Sequence, residues 1–219
     1  MAKQFLIIGL GQFGISVARS LAEKGAEILA VDADADRVRV AADLVDDAVV
    51  FDATDEQALA RTAPDRRDAC VCAIGSESKE ASIICSALLR QHGAKRLIAR
   101  ASDPLHERIL RLVGAHEIVN PDREYGERLA NRLIYQGVIG EMPLGEDLVI
   151  TEFSLPDAFV GRTLIELALP RRFSITIVAV RRGESRVILM PDPNAPLEAG
   201  DVLVVVSAPG AVARLTERY

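Results

Sequence analysis

The sequence contains no run of about 18 apolar residues, although 49% of its 219 residues are hydrophobic. A helix that spans a bilayer needs such a run, so we expect no membrane-spanning segment. The chain also lacks an excess of basic residues, with 26 Lys and Arg against 32 Asp and Glu, and its formal net charge is −6. Because nucleic acids and anionic lipids attract basic surfaces, this balance argues against both as partners.

Cysteine is scarce, with three residues, and the count is odd. Cys70, Cys72 and Cys85 lie in apolar runs, so we expect buried free thiols. The three histidines form no metal-ligand spacing with these cysteines. The pattern therefore favours a reduced, cytoplasmic setting.

Glycine, in contrast, is placed with a regular spacing near the start of the chain. The apolar run Phe5–Ile8 is followed at once by Gly9, Gly11 and Gly14, and a helical pattern follows over Ile15–Lys24. Strand, tight turn and helix are the context that a dinucleotide-binding fingerprint requires. The first glycine permits the turn, the second lets backbone approach a phosphate, and the third lets the helix lie close to the strand. The helix N-terminus then attracts an anion.

An acidic residue strengthens this interpretation. The second apolar run ends in Asp32, near the expected distance of about 20 residues for the acid that binds a ribose hydroxyl. Its carboxylate would repel a 2′-phosphate, so the sequence predicts binding of an adenine nucleotide or NAD(H) and exclusion of NADP(H).

Strand and helix patterns alternate from residue 1 to about 122. Strands are predicted at Phe5–Ile8, Ile28–Val31, Ala48–Phe51, Ala69–Ile74, Arg96–Ala99 and Glu117–Val119. Helices are predicted at Ile15–Lys24, Asp36–Leu44, Glu56–Arg61, Lys79–Gln91 and Leu105–Leu112. This alternation predicts an α/β fold with a doubly wound parallel sheet, the Rossmann type, buried on both faces.

Polar residues follow the predicted strands at their carboxyl ends. Asp52 follows the third strand, Ser76 follows the fourth after Gly75, Arg100 follows the fifth, and Asn120 and Asp122 follow the sixth. In a doubly wound sheet these ends face one crevice, where ligands bind. We therefore expect a polar pocket suited to a nucleotide.

The rest of the chain changes character. A helix over Arg123–Gln136 carries an apolar face, and we expect it to pack either on another chain or on the flank of its own domain. Gly137 and Gly140 open a loose segment that reaches Gly145, the predicted domain boundary. We assign 1–137 to a nucleotide-binding domain and 138–219 to a small antiparallel α+β domain.

Strands and helices of the second domain follow from its local patterns. Strands are predicted at Val149–Phe153, Ser174–Val180, Arg186–Met190 and Asp201–Val206. Short helices are predicted at Thr163–Ala168 and Gly210–Glu217.

The sequence offers no evident catalytic group. A dehydrogenase needs a side chain that handles a proton beside the nicotinamide, and the chain has no Tyr-x-x-x-Lys motif and no paired histidine and carboxylate. His106 stands alone near the predicted crevice. We therefore expect nucleotide binding without enzymatic turnover, with a NAD-dependent oxidoreductase as the alternative.

Taken together, these motifs resemble the regulator-of-potassium-conductance (RCK or KTN) domains, and more narrowly the cytosolic regulatory subunits of Ktr- and Trk-type bacterial potassium uptake systems. The resemblance covers essentially the whole chain. The motifs that carry it are Phe5–Gly14, Leu29–Asp32, Asp52–Thr54, Val71–Gly75, Val113–Asp122, Leu148–Phe153, Val160–Leu164 and Pro196–Asp201.

The resemblance implies a regulatory protein that is not an enzyme. Such subunits form dimers, joined by a crossover helix and typically assembled into an octameric ring, on the cytoplasmic face of a membrane-embedded potassium-translocating subunit. ATP, ADP or NAD(H) in the N-terminal crevice gates ion flux. The nucleotide site it implies consists of Gly9, Gly11, Gln12, Phe13, Gly14, Asp32, Asp52, Ala53, Ala73, Ile74, Gly75, Arg100, His106 and Asp122.

Some features of the resemblance leave alternatives open. ATP-responsive members commonly carry Arg where this chain has Gln12, so the preference for ATP over ADP is expected to be modest. Asp122 stands where related proteins often link a cation to the nucleotide, so Mg²⁺ or a monovalent cation is expected there. A regulator of another cation channel or exchanger remains the alternative within the family.

Overall fold

The computed structural model describes residues 2–135, 137–145, 147–182 and 187–219. The chain divides into two compact units, Met1–Arg123 and Glu124–Tyr219. Among the described residues no helix is both long enough and apolar enough to cross a membrane.

The first unit is built on a parallel sheet, as predicted. Its strand order is β3-β2-β1-β4-β5-β6. The chain runs outward from β1 to β3 on one side and then returns to build β4 to β6 on the other, so the topology reverses between β1 and β4. The strands are β1 (Gln4–Ile8), β2 (Glu27–Asp32), β3 (Asp47–Val50), β4 (Ala69–Cys72), β5 (Leu97–Arg100) and β6 (Glu117–Val119).

Helices cover both faces of this sheet. In β1, Leu6 and Ile8 belong to one apolar cluster and Ile7 belongs to another, because successive side chains of a strand point to opposite faces. Both clusters are buried, which explains why the strands read as continuous apolar runs. The helices are α1 (Gln12–Ala22), α2 (Ala35–Ala42), α3 (Glu56–Arg61), α4 (Lys79–Gln91) and α5 (Pro104–Leu112).

Side-chain caps fix where several of these helices begin. Asp34 accepts hydrogen bonds from the first turn of α2, Asp55 does so for α3, and Asp103 does so for α5. Each cap satisfies backbone N–H groups that have no partner inside the helix. These acids therefore set the start of each helix just beyond the carboxyl end of the preceding strand.

The next helix, α6 (Pro121–Ile134), begins two residues earlier than predicted and crosses the division between the two units. None of its residues is buried, and Tyr125, Leu133 and Ile134 are exposed. The predicted final residue, Gln136, lies outside the described residues. The assignment of this helix to the first domain, with a boundary at residue 137, stays a prediction.

The second unit contains an antiparallel sheet with the order β10-β9-β11-β8-β7. Its strands are β7 (Val138–Pro143), β8 (Val149–Ser154), β9 (Thr176–Arg182), β10 (Val187–Leu189) and β11 (Val202–Ser207). Three short helices, α7 (Leu164–Leu167), α8 (Leu169–Phe173) and α9 (Ala211–Thr216), contribute to its core. The predicted α+β module is confirmed. Arg186, the predicted start of the strand Arg186–Met190, lies outside the described residues.

Two local predictions in this unit are wrong. The segment predicted to be loose forms β7, which pairs with β8, and Gly140 lies at a register shift in that pairing. The glycines therefore accommodate an irregular strand rather than a linker. The strand predicted from Ser174 begins at Thr176, because Ser174 adopts a left-handed φ of 56° that ends α8. Helix α8 was not predicted.

Candidate functional site

A cavity of about 590 Å³ opens at the carboxyl ends of the parallel strands of the first unit. Its volume lies in the range of small-molecule sites, about 300–1,000 Å³. It also lies at the topological reversal between β1 and β4, where doubly wound sheets bind ligands. Most of the predicted site residues line it: Gly9, Gly11, Gln12, Asp32, Asp52, Ala53, Ala73, Ile74, Gly75, Arg100 and Asp122.

The three glycines of the turn have different surroundings. Gly9 has a φ of +91°, and a Cβ there would lie 2.7 Å from the backbone N of Ile74. A Cβ on Gly14 would lie 1.8 Å from the carbonyl oxygen of Gly9, so this residue permits close packing of α1 and does not line the cavity. A Cβ on Gly11 would meet no atom of the described residues within 4 Å. The open space at Gly11 is where a phosphate could approach the backbone.

Helix α1 begins directly after Gly11, and no side chain in the described part of the chain caps its N-terminus. The N–H groups of the first turn therefore have no intrahelical partner and no side-chain acceptor. Such a terminus attracts anions through these donors and through the helix dipole. Gln12, the first helical residue, is exposed and lines the cavity beside this terminus.

Asp32 connects the end of β2 to the glycine turn. Its Oδ2 accepts a hydrogen bond from the backbone N–H of Leu10 at 2.6 Å, and its Oδ1 accepts one from that of Asp34 at 2.9 Å. Each carboxylate oxygen keeps a second lone pair, and the residue lines the cavity. Asp32 can therefore accept from a ribose hydroxyl while it holds the turn in place.

Arg37, in the first turn of α2, is a cavity residue that the sequence analysis missed. Its guanidinium nitrogens lie 3.1 Å from an oxygen of Glu77, 3.6 Å from Asp34 and 3.8 Å from Asp32. The hydrogen bond to Glu77 is the main cause of the raised pKa of Arg37. The sequence did contain a signal for this residue, because Arg37 directly follows three acids at alternate positions, Asp32, Asp34 and Asp36.

Asp52 and Ala53 lie at the other edge of the cavity, beyond β3. The Oδ1 of Asp52 accepts hydrogen bonds from the backbone N–H of Thr54 at 2.9 Å and from its hydroxyl at 2.8 Å. These two bonds hold the pKa of Asp52 below its ordinary value, so the carboxylate stays charged. The arrangement presents an acceptor beside the small, buried Ala53.

Arg100 supplies a cation at the carboxyl end of β5. One guanidinium nitrogen donates to Asp122 at 2.7 Å, and the group lies 5.8 Å from the centre of the Phe13 ring. Phe13 does not line the cavity and instead supports Arg100 from one side. The Nε atom of Arg100 is buried and has no hydrogen-bond partner among the described residues. Arg100 lines the cavity, and its guanidinium is held by Asp122.

His106 lies outside the set of residues that line the cavity. Its Nδ1 is 3.3 Å from the backbone N–H of Ser102, which can only donate, so the neutral ring carries its proton on Nε2. Burial lowers the pKa of His106, Lys79 lowers it further, and Asp103 opposes both. The arrangement makes His106 part of the packing at the start of α5.

The described residues contain no group of three or more metal-ligating side chains. Asp122 is the predicted cation ligand, and the structure places it against Arg100. Mg²⁺ in nucleotide sites commonly uses one or two carboxylates and completes its coordination with phosphates and water. A single carboxylate at the edge of the cavity is compatible with that mode.

The described lining of the cavity includes neither cysteine nor histidine. The three cysteines are buried free thiols, as predicted. Burial raises the pKa of Cys70 to about 12, so this thiol is protonated and unreactive at neutral pH.

Comparison with known proteins shows the family to which the chain belongs. The TrkA-N domain model matches residues 5–121, and the TrkA-C domain model matches residues 150–219. The chain is 36% identical over 204 residues to the Ktr system potassium uptake protein A of Vibrio alginolyticus, which covers 93% of this chain and 92% of the relative. It is 33% identical over 218 residues to the Ktr system potassium uptake protein C of Bacillus subtilis, which covers 100% of this chain and 98% of the relative.

Solved structures share the fold. The GsuK channel aligns with a TM-score of 0.67 and 22% identity, over 98% of this chain and 39% of that chain. The GsuK channel bound to NAD aligns with a TM-score of 0.65 and 20% identity, over 98% of this chain and 39% of that chain. The present chain thus spans about two fifths of the length of these channel chains. GsuK bound to ADP aligns over 60% of this chain and 35% of that chain, with 22% identity and a TM-score of 0.51.

Proposed function

The chain belongs to the family of Ktr and Trk potassium uptake proteins that carry TrkA-N and TrkA-C domains, and on that premise we propose that it is a nucleotide-sensing regulatory subunit of a membrane potassium transporter. The observation that carries the proposal is the crevice at the carboxyl ends of β1 and β4. There an uncapped helix terminus, an open glycine, the acid Asp32 and the cation Arg100 line one cavity.

Each part of a nucleotide has a counterpart in this crevice. The phosphates would lie against Gly11 and the N–H groups at the start of α1, with Arg100 as the nearby cation. The ribose would donate to Asp32, whose position is fixed by its bond to Leu10. The adenine would lie toward Asp52 and Ala53.

We propose ATP and ADP as the favoured ligands, with NAD(H) as the second candidate. Relatives by fold include structures of GsuK bound to NAD and to ADP, which supports both ligands as candidates. Gln12 is neutral, so it gives a terminal phosphate no charge-assisted contact, and the preference for ATP over ADP is modest. A cation between Asp122 and the phosphates would offset the repulsion between those two anionic groups.

The partners we propose are a second copy of this chain and a membrane potassium-translocating subunit. The support for the first is α6, whose apolar residues are exposed in a single chain. The support for the second is the similarity to Ktr potassium uptake proteins over nearly the full length of both chains. Following the family pattern, we propose that copies of the chain form an octameric ring. We propose that this ring lies at the cytoplasmic face of the cell membrane.

We propose regulation rather than catalysis. A nicotinamide-dependent oxidoreductase needs a proton-handling group beside the reacting carbon. Cysteine and histidine are missing from the cavity lining within the described ranges, and Asp32 and Asp52 are both engaged by backbone N–H groups. Binding energy in such a site is available to change the conformation of the protein instead.

Flux measurements with the reconstituted transporter test the function. Potassium flux through the membrane subunit should depend on this chain, and exchanging ATP for ADP should change it. A Gly11→Ala chain, which adds a methyl group to the open part of the crevice, should still assemble but lose the nucleotide response. A flux that is the same with and without this chain, or that ignores nucleotide, would contradict the proposal.

A further inference from the structure

An ion pair between Arg37 and Glu77 joins two parts of the chain that are 40 residues apart. Arg37 lies in α2, which follows β2, and Glu77 lies in a short 3₁₀ turn, Ser76–Ser78, which follows β4. In the sheet, β1 lies between β2 and β4. Neighbouring strands are about 4.8 Å apart, so the two strands that lead to Arg37 and Glu77 are about 10 Å apart, with β1 between them.

The end of β1 is where the glycine turn begins. Arg37, Glu77, Gly9 and Gly11 all line the same cavity. A contact from the β2 side to the β4 side therefore crosses the part of the cavity that faces the glycine turn. We propose that the Arg37–Glu77 ion pair is a strap across the crevice, which a nucleotide must displace when it enters and when it leaves.

The two ends of the strap are held differently. Arg37 also contacts Asp32 and Asp34, so its guanidinium remains on the β2 side when Glu77 moves away. The Glu77 side chain is 76% exposed, and among the described residues Arg37 is its one ion-pair partner. Glu77 is therefore the end that opens, and the turn that carries it follows Gly75, a cavity residue.

The strength of the ion pair suits a strap that opens often. An exposed ion pair of this kind shifts the equilibrium between the open and the closed strap by about two- to five-fold. This is enough to alter the rates of nucleotide entry and exit without preventing them. If the strap forms over both the empty and the occupied crevice, it slows entry and exit by similar factors. It then controls how quickly the protein responds to a change in nucleotide, with little effect on affinity.

The inference rests on the proposed nucleotide binding, and its test must separate a strap from a simple electrostatic field. The variants are Glu77→Gln, Arg37→Gln and the double variant. Two matched controls come from the Asp36–Arg39 ion pair of α2, which is exposed and does not line the cavity: Asp36→Asn and Arg39→Gln. The probe is 1,N6-etheno-ADP, which leaves the ribose and the phosphates unmodified, and stopped-flow fluorescence gives its association and dissociation rates.

A strap predicts that both single variants act in the same direction. Each should raise the association and dissociation rates by about two- to five-fold and change Kd by less than about twofold, and the double variant should add nothing further. The controls should keep the rates of the unaltered chain.

A field effect predicts opposite signs, since loss of a cation weakens anion binding and loss of an anion strengthens it. Opposite signs, or rates equal to those of the controls, would overturn the strap and leave nucleotide binding intact. Absence of binding by every chain, the variants included, would overturn the proposed function and the strap with it.

Discussion

The carboxylate of Asp32 accepts a hydrogen bond from the backbone N–H of Leu10 at 2.6 Å, so the acid at the end of β2 holds the glycine turn at the end of β1. Leu10 is buried, and Asp32 is 9% exposed. The same side chain thus has a structural task and a free lone pair for a ribose.

Replacement of Asp32 by Ala should therefore have two effects. It leaves the buried N–H of Leu10 without its acceptor, which should lower the free energy of unfolding by about 1–3 kcal/mol. It also removes the ribose contact, which should weaken nucleotide binding by about 1.5–3 kcal/mol. Urea denaturation and calorimetry measure the two effects separately, with Asp36→Ala as the control on the same side of the sheet. An Asp32→Ala chain of unchanged stability, or tight NADPH binding by the unaltered chain, would show that this role is wrong.

Gln12 provides a prediction about ligand preference. Gln12→Arg should add a charge-assisted contact to a terminal phosphate and favour ATP over ADP by about 1–2 kcal/mol. Calorimetry with both nucleotides measures the difference, and Gln12→Leu, which removes the amide without adding charge, is the control. Equal gains for ATP and ADP would mean that position 12 does not meet the terminal phosphate.

Features that depend on a few neighbouring residues could be predicted from the sequence, and features that depend on the arrangement of distant strands could not. The strands of the first unit and the turn at Gly9 follow from apolar runs and spacing. Arg37 and Glu77 were missed because their contact depends on β2 and β4 flanking β1, which no local pattern states. His106 was expected to flank the crevice because it follows β5, yet helix α5 turns its ring into the packing beside Ser102. Side-chain direction within a helix cannot be read from proximity in sequence alone.

The buried ring of His106 predicts a loss of stability at mildly acidic pH. Its pKa is lowered in the folded protein, mainly by burial, whereas the unfolded chain has the ordinary value of 6.5. The unfolded state therefore binds the proton first, and the free energy of unfolding should fall as the pH drops below about 6.5. Asp103 acts over a different pH range. Its pKa is lowered to about 2 in the folded protein, so its contribution to the free energy of unfolding is lost only as the pH falls from the ordinary pKa of 3.8 to about 2.

Urea denaturation between about pH 7.5 and about pH 5 tests this, with His106→Gln as the variant. The slope of stability with pH over this range should become shallower when the histidine is replaced. If stability changes with pH equally steeply in the unaltered and the His106→Gln chains, the loss of stability at acidic pH is caused by other groups.

Helix α6 predicts self-association. Leu129 and Leu133 are 39% and 75% exposed in a single chain, and Glu at both positions should disrupt a contact with a second copy. Light scattering at micromolar concentration should give at least a dimer for the unaltered chain and a smaller mass for the double variant. Val40→Glu, at an exposed apolar position of α2, is the control. An unaltered chain that shows only the 23.7 kDa mass of a monomer would contradict the prediction.

The central claim is that the crevice beside the glycine turn binds an adenine nucleotide. Calorimetry with ATP, ADP and NADH, with and without Mg²⁺, tests it most directly when the Gly11→Ala and Gly14→Ala chains are compared. A Cβ at Gly11 meets open space, whereas one at Gly14 lies 1.8 Å from a backbone oxygen. The account predicts that the unaltered chain binds one adenine nucleotide per chain, that Gly11→Ala folds normally and loses this binding, and that Gly14→Ala loses stability. Undiminished nucleotide binding by a well-folded Gly11→Ala chain, or no binding by the unaltered chain, would contradict it.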